Sequence, residues 1–126
     1  MNSKKSILAL VVLLVLVFMQ GQVGAGVYFE TGNDLVVRMR EWEKTETKDS
    51  NPDYGSAMHY LGYIKGVNDT LSESLPRATG PVTVRQVCSI VAKYLKDHPE
   101  RWSESAYILV QDALKEAFSP NRRHGE

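Results

Sequence analysis

One cysteine, three histidines and no surplus of either charge leave this chain without the raw material of several functions. Cys88 cannot close an intramolecular disulfide by itself, so any domain here has to be held by its core. His59, His98 and His124 stand far apart, none three or four residues from another His or from the Cys, so metal-ligand spacing is missing. Fifteen basic residues against fifteen acidic ones leave no net charge. A chain without a basic stripe lacks the electrostatic footprint of a nucleic-acid binder. Long apolar runs are absent too. The longest, Ile7 to Met19, has 13 residues, and a helical span of a bilayer takes roughly 20. With 126 residues the chain has room for one domain.

What is present begins with that apolar run. Lys4 and Lys5 precede it, and Gln20-Gly21-Gln22 followed by Val23-Gly24-Ala25 supplies small residues at signal-peptidase spacing. This pattern predicts a secretory signal over residues 1–25 and a mature chain starting near Gly26. No Cys follows the run, so no lipid anchor is expected. With Lys4 and Lys5 removed, 13 basic residues face 15 acidic ones, and the mature chain carries a net charge of −2.

The rest is patterned as helix. Leu35, Val36, Met39 and Trp42 share one face of a first helix from about Asn33 to Thr45. Glu46 to Pro52 has no apolar residue and predicts a loop, with Asn51 as cap and Pro52 in the first helical position. Ala57, Tyr60, Leu61, Ile64, Val67, Leu71 and Leu75 define a second helix from about Asp53 to Leu75. Pro76 to Pro81 breaks it. Thr83 and Gln86 form a capping box for a third helix, buried through Val84, Val87, Cys88, Val91, Tyr94 and Leu95 and closed by His98-Pro99. Ser103 can cap a fourth helix, with Glu104 in its first turn and apolar residues from Ala106 to Phe118. The tail Pro120 to Glu126 should fray. The best strand candidate, Val27 to Phe29, is only three residues. The expected fold is all-α, a small four-helix domain.

Few residues suggest chemistry. Cys88 lies in an aliphatic series, where a thiol is inert core rather than a nucleophile. His98 fits a helix C-terminus, where an imidazole satisfies carbonyls and favours the dipole, and His59 sits beside the buried stripe. Gly62 and Gly66 form a Gly-x-x-x-Gly pair inside a helix, where each costs roughly 0.8–1 kcal/mol relative to alanine. Either a close helix crossing within the chain or a dimer contact would offset that cost. Tyr63 and Asp69 flank the pair. Arg101 and Trp102 occupy the short third connection, as interface anchors or with Trp102 folded back as a lid on the core. With no nucleophile and base, metal set or phosphate loop, neither an enzyme nor a cofactor is expected.

Four segments share the order and spacing of one family. They are Gly62-Tyr63-Ile64-x-Gly66-Val67-x-Asp69, Val82-Thr83-x-x-Gln86, Lys93-Tyr94-Leu95-x-x-His98-Pro99-Glu100 and Ala113-Leu114-x-x-Ala117-Phe118. From about Gly32 to Phe118 the chain resembles immunity proteins of the Rap/Tai type, which protect bacteria from cell-wall amidase effectors of the type VI secretion system. The resemblance implies a small helical periplasmic protein, often dimeric, that binds a peptidoglycan amidase and blocks its Cys-His cleft. The loop with Glu100, Arg101 and Trp102 is the expected partner contact. Cysteines of the family pattern are replaced here by Met39 and Tyr60, and others by Pro and small residues. An orphan periplasmic helical binding protein or an acid-stress chaperone is the alternative.

Overall fold

A computed structural model describes residues 2–19, 29–48, 51–75 and 81–119. The expected signal cleavage site, most of the break at 76–81 and the tail 120–126 lie outside them. Five α-helices follow in order: α1 (Ser3–Met19), α2 (Gly32–Thr47), α3 (Tyr54–Leu71), α4 (Val84–Asp97) and α5 (Ala106–Phe118), with a 3-10 turn at Pro99–Arg101. The domain is all-α, as expected, and α2 to α5 are its four helices. Among the described residues the only β-type pairing is one antiparallel bridge, Thr31 with Ser105.

The apolar run of the N-terminus lies in α1, whose side chains from Lys4 to Leu13 are all exposed and contribute nothing to the core. No described helix is long and apolar enough to cross a membrane. The core draws instead on α2 (Leu35, Val36, Met39, Trp42), α3 (Ala57, Tyr60, Ile64, Val67, Leu71), α4 (Val87, Cys88, Val91, Ala92, Leu95) and α5 (Leu109, Val110, Ala113, Leu114). These positions recur every three or four residues, so each helix buries one stripe and leaves the other side wet. Tyr60 is wholly buried, and its hydroxyl donates to the Cys88 carbonyl at 2.8 Å, which removes the penalty of an unpaired polar group. Its ring tilts against Trp42 with centroids 5.4 Å apart. Met39 and Tyr60 thus both pack into the core.

Local signals set most of the helix ends. Thr83 and Gln86 cap α4 reciprocally, and Thr31 and Asp34 do the same for α2, which therefore starts at Gly32 rather than Asn33. Asp53, not Asn51, caps α3 by accepting from the Ser56 amide. That helix ends at Leu71 rather than Leu75. The hydroxyls of Ser72 and Ser74 bond back to the carbonyls of Asp69 and Leu71, competing with the helical ladder, although Leu75 still packs against the core.

Two expectations fail. Gly62 and Gly66 are exposed, and among the described residues a β-carbon on either would meet nothing within 4 Å, so no described helix crosses closely there. Packing places the outer side of α3 away from α2, α4 and α5. The glycine that does sit at a close approach is Gly32: a β-carbon there would stand 2.5 Å from Leu109 Cδ1 and 2.8 Å from Trp102 Cα. Nor does Ser103 cap the last helix. Ser105 takes the N-cap position without a side-chain bond, and the Ala106 amide instead donates to the Glu30 carbonyl at 2.8 Å. The Gly32 amide donates to Glu104 O at 2.9 Å and the Asn33 amide to Trp102 O at 2.7 Å. These three bonds tie the starts of α2 and α5 together, using amides that a helix N-terminus leaves unpaired.

Candidate functional site

The connection from α4 to α5 is short, rigid and exposed at its tip. His98 ends α4 because Pro99 follows it and excludes helical geometry; its φ and ψ are −126° and 57°. Pro99 then starts the 3-10 turn, closed by amide bonds from Arg101 to His98 O and from Glu104 to Arg101 O.

Arg101 and Trp102 turn inward from this loop. The Arg101 guanidinium donates to both carboxylate oxygens of Glu104, at 2.8 and 2.7 Å, to Asp112 at 2.9 Å, and to the Tyr94 hydroxyl. A planar fork meeting a carboxylate in two bonds is the strongest geometry such a pair has. Hydrogen bonding to Arg101 holds Glu104 below the usual carboxylate range, and Glu104 and Asp112 make the guanidinium harder still to deprotonate. Trp102 is half-buried against the core, and its Nε1 donates to Leu95 O at 2.7 Å while Arg40 lies over the ring, 5.9 Å from the centroid. Trp102 is therefore the lid on the core that was one of its two readings.

Glu100 points out. Its side chain is 64% exposed, and its carboxylate, kept low chiefly by its own backbone amide and then by His98, lies 3.2 Å from His98 Nδ1. His98 stacks on Tyr94 with centroids 4.4 Å apart, so the loop's first residue is fixed by aromatic packing. Burial raises the Tyr94 phenol. Beside the loop runs a shallow groove between α4 and α5, lined by Lys93, Tyr94, Asp97, His98, Ala113 and Glu116 among others.

The remaining singled-out residues lie elsewhere. Gly62, Gly66 and Asp69 share the outer face of α3, where Asp69 pairs with Lys65; Tyr63 at its edge is half-buried, which raises its phenol. Gln86 is the partner of Thr83 in the capping box of α4. The family-motif positions are thus divided between the scaffold, the braced loop and the α3 face, and are not brought to one place. His59 is an exposed rim residue 3.3 Å from Glu30, whose carboxylate also pairs with Arg38. Sequence reasoning passed over Glu30, whose carboxylate lies between Arg38 of α2 and His59 of α3 and whose carbonyl meets α5; no periodicity marks a residue outside every helix.

Burial pushes the Cys88 thiol up to about 11, so it stays protonated and inert at neutral pH. Among the described residues no three His, Cys, Asp or Glu side chains are grouped to hold a metal. What the arrangement offers is a stiff scaffold presenting a loop and a helix face, the equipment of a protein that binds another protein.

Comparison with curated proteins returns no match. A family model does match, that of Rap1a immunity proteins, over residues 31–119, from the capping residue of α2 to the residue that follows α5. This is the whole of the α2 to α5 domain, and it agrees with the resemblance carried by the four sequence segments. The chain belongs to the Rap1a immunity protein family, whose members act as immunity proteins against secreted effectors.

Proposed function

We propose that this protein is a periplasmic immunity protein that binds a peptidoglycan amidase effector of a type VI secretion system, as a homodimer, and occludes its catalytic cleft. The family match over residues 31–119 carries this reading. The basic residues, apolar run and small residues of the first 25 positions support export to the compartment where such an effector would act.

The loop from His98 to Ser105 is the inhibitory element in this reading. Tight association favours surfaces that lose little freedom on binding, and this loop is held by the Arg101 fork, the Trp102 indole bond and the backbone bonds to Gly32 and Asn33. Arg101 and Trp102 then act mainly by shaping the loop, and Glu100 is the anchor that meets the effector. Capture experiments test this: the protein should retain an amidase encoded beside its gene, and Glu100→Arg should weaken retention at least tenfold, about 1.4 kcal/mol, with an unchanged circular dichroism spectrum. Failure to retain any amidase would leave an orphan helical binding domain.

A further inference from the structure

The carboxylates where α4 turns into α5 differ in what faces them. Asp97 pairs with Lys93, and Glu104 and Asp112 pair with Arg101. Lysine and arginine ordinarily stay charged well above neutral pH, so these pairings are permanent. Glu100 faces an imidazole instead, its Oε1 lying 3.2 Å from His98 Nδ1. An imidazole is the side chain that changes charge between about pH 5 and pH 8. Glu100 is thus matched by a cation in acid and left as a net negative charge once His98 is neutral.

The same contact fixes the tautomer of the ring. An ionised carboxylate has no proton to give, and Glu100 is held below the usual carboxylate range, so the hydrogen between the two groups sits on Nδ1. In the neutral ring Nε2 is then bare and accepts, whereas in the charged ring it carries a proton and donates. The ring itself is held in place. The His98 amide donates to Tyr94 O and its carbonyl accepts from the Arg101 amide, both at 3.1 Å, while the ring lies against Tyr94, whose hydroxyl accepts from the Arg101 guanidinium. Both groups reach solvent, with 37% of the His98 side chain and 64% of the Glu100 side chain exposed.

We propose that His98 and Glu100 form a proton-switched acceptor site for a basic side chain of the partner, open when His98 is neutral and closed when it is protonated. The inference rests on the immunity reading above and names the chemistry that meets its loop. A carboxylate and a bare imidazole nitrogen offer acceptors, so their occupant must donate, and a guanidinium or ammonium group does so most strongly. Protonation of His98 opposes that occupant twice: it sets a like charge beside it, and it turns Nε2 from acceptor into donor. The other titratable groups around the ring are Lys93, Asp97 and the Tyr94 phenol on α4, Arg101 on the turn, and Glu116 across the groove on α5. Side chains of these types do not ordinarily change charge between pH 5 and pH 8, so the switch belongs to the imidazole.

Retention of an amidase encoded beside the gene, measured from pH 8 down to pH 5, tests the proposal. It should weaken at least about fivefold, the lower end of ordinary coupling between two binding events. His98→Asn sets a neutral amide donor where Nδ1 stood and has no proton to gain, so it should keep the retention seen at pH 8 and lose the pH dependence, which separates the switch from any titration of the amidase. The free protein gives an independent arm by nuclear magnetic resonance. Its neutral His98 should carry the ring proton on Nδ1, and N-acetyl-arginine amide should shift the His98 and Glu100 signals at pH 8, far less at pH 5, and not in Glu100→Ala. Equal pH dependence in the parent and His98→Asn, a probe as effective at pH 5 as at pH 8, or a neutral ring protonated on Nε2 would overturn the switch and leave the immunity reading standing. A protein that retains no amidase at any pH, yet takes the arginine probe at pH 8 and releases it at pH 5, would sink the immunity reading and leave this site standing.

Discussion

Alanine at Gly32 and alanine at Gly66 should move stability in opposite directions. At Gly32 the new methyl would stand 2.5 Å from Leu109 Cδ1, 2.8 Å from Trp102 Cα and 2.9 Å from Trp102 O. Two of those three atoms are backbone and cannot rotate away. Overpacking of this kind costs about 1–3 kcal/mol. Moving the loop to relieve it would also stretch the bonds from Gly32 N to Glu104 O and from Asn33 N to Trp102 O, each worth about 1 kcal/mol net. The expected loss is therefore about 2–4 kcal/mol. In a domain of this size each kcal/mol moves the melting temperature by about 4–8 °C, so Gly32→Ala should melt at least about 8 °C lower. At Gly66 a methyl meets nothing, and the gain in helix propensity of about 0.8–1 kcal/mol should raise the melting point by about 4–8 °C. Thermal melts of dilute protein followed by circular dichroism at 222 nm, the helix band, would show both shifts. A Gly32→Ala protein melting within about 2 °C of the parent, or a Gly66→Ala protein melting lower, would refute the reasoning.

Other perturbations follow from the same geometry. With its thiol pushed up to about 11, Cys88 should react with Ellman's reagent at neutral pH only as fast as the protein unfolds, and Cys88→Ala should still bind its partner. Trp102→Ala removes the lid and leaves the Leu95 carbonyl without its indole donor, and should cost about 2–4 kcal/mol in urea unfolding; an unchanged midpoint would show the ring to be idle. Glu41, Asp53, Asp97, Glu100 and Glu104 are all held below their ordinary values, chiefly by Lys44, Ser56, Lys93, the Glu100 backbone amide and Arg101 in turn. A depressed folded value means that these groups add stability above the ordinary carboxylate value of about 4 and lose it as pH falls below that. The melting temperature should then be lower at pH 3 than at pH 6, and equal values would contradict the assignment.

The four helices of the domain were legible because each buries one stripe at helical spacing, and the cap of α4 because Thr83 and Gln86 lie three residues apart. Cys88 was legible as core from its aliphatic neighbours alone. Gly32 was not, because its requirement for no side chain comes from Trp102 and Leu109, some seventy residues further along the chain. The cap of α5 was misplaced for a similar reason: a carbonyl from Glu30 does what a local hydroxyl was expected to do. Gly62 and Gly66 show the opposite error. Their spacing correctly signals that a backbone is left bare, but a sequence does not say whether the bare side faces inward or out. In the loop, the residue types that serve interfaces, Arg and Trp, also serve to brace a turn. The bonds to Glu104, Asp112 and Leu95 show that both residues brace the turn here.

The most direct test of the immunity assignment is protection. An amidase encoded beside this gene, directed to the periplasm of a sensitive host, should lyse cells that lack the protein and spare cells that export it. With purified components, amidase activity should fall linearly as protein is added and reach its floor at a fixed molar ratio. An amidase that remains as active, and as lethal, in the presence of excess folded protein would contradict the account.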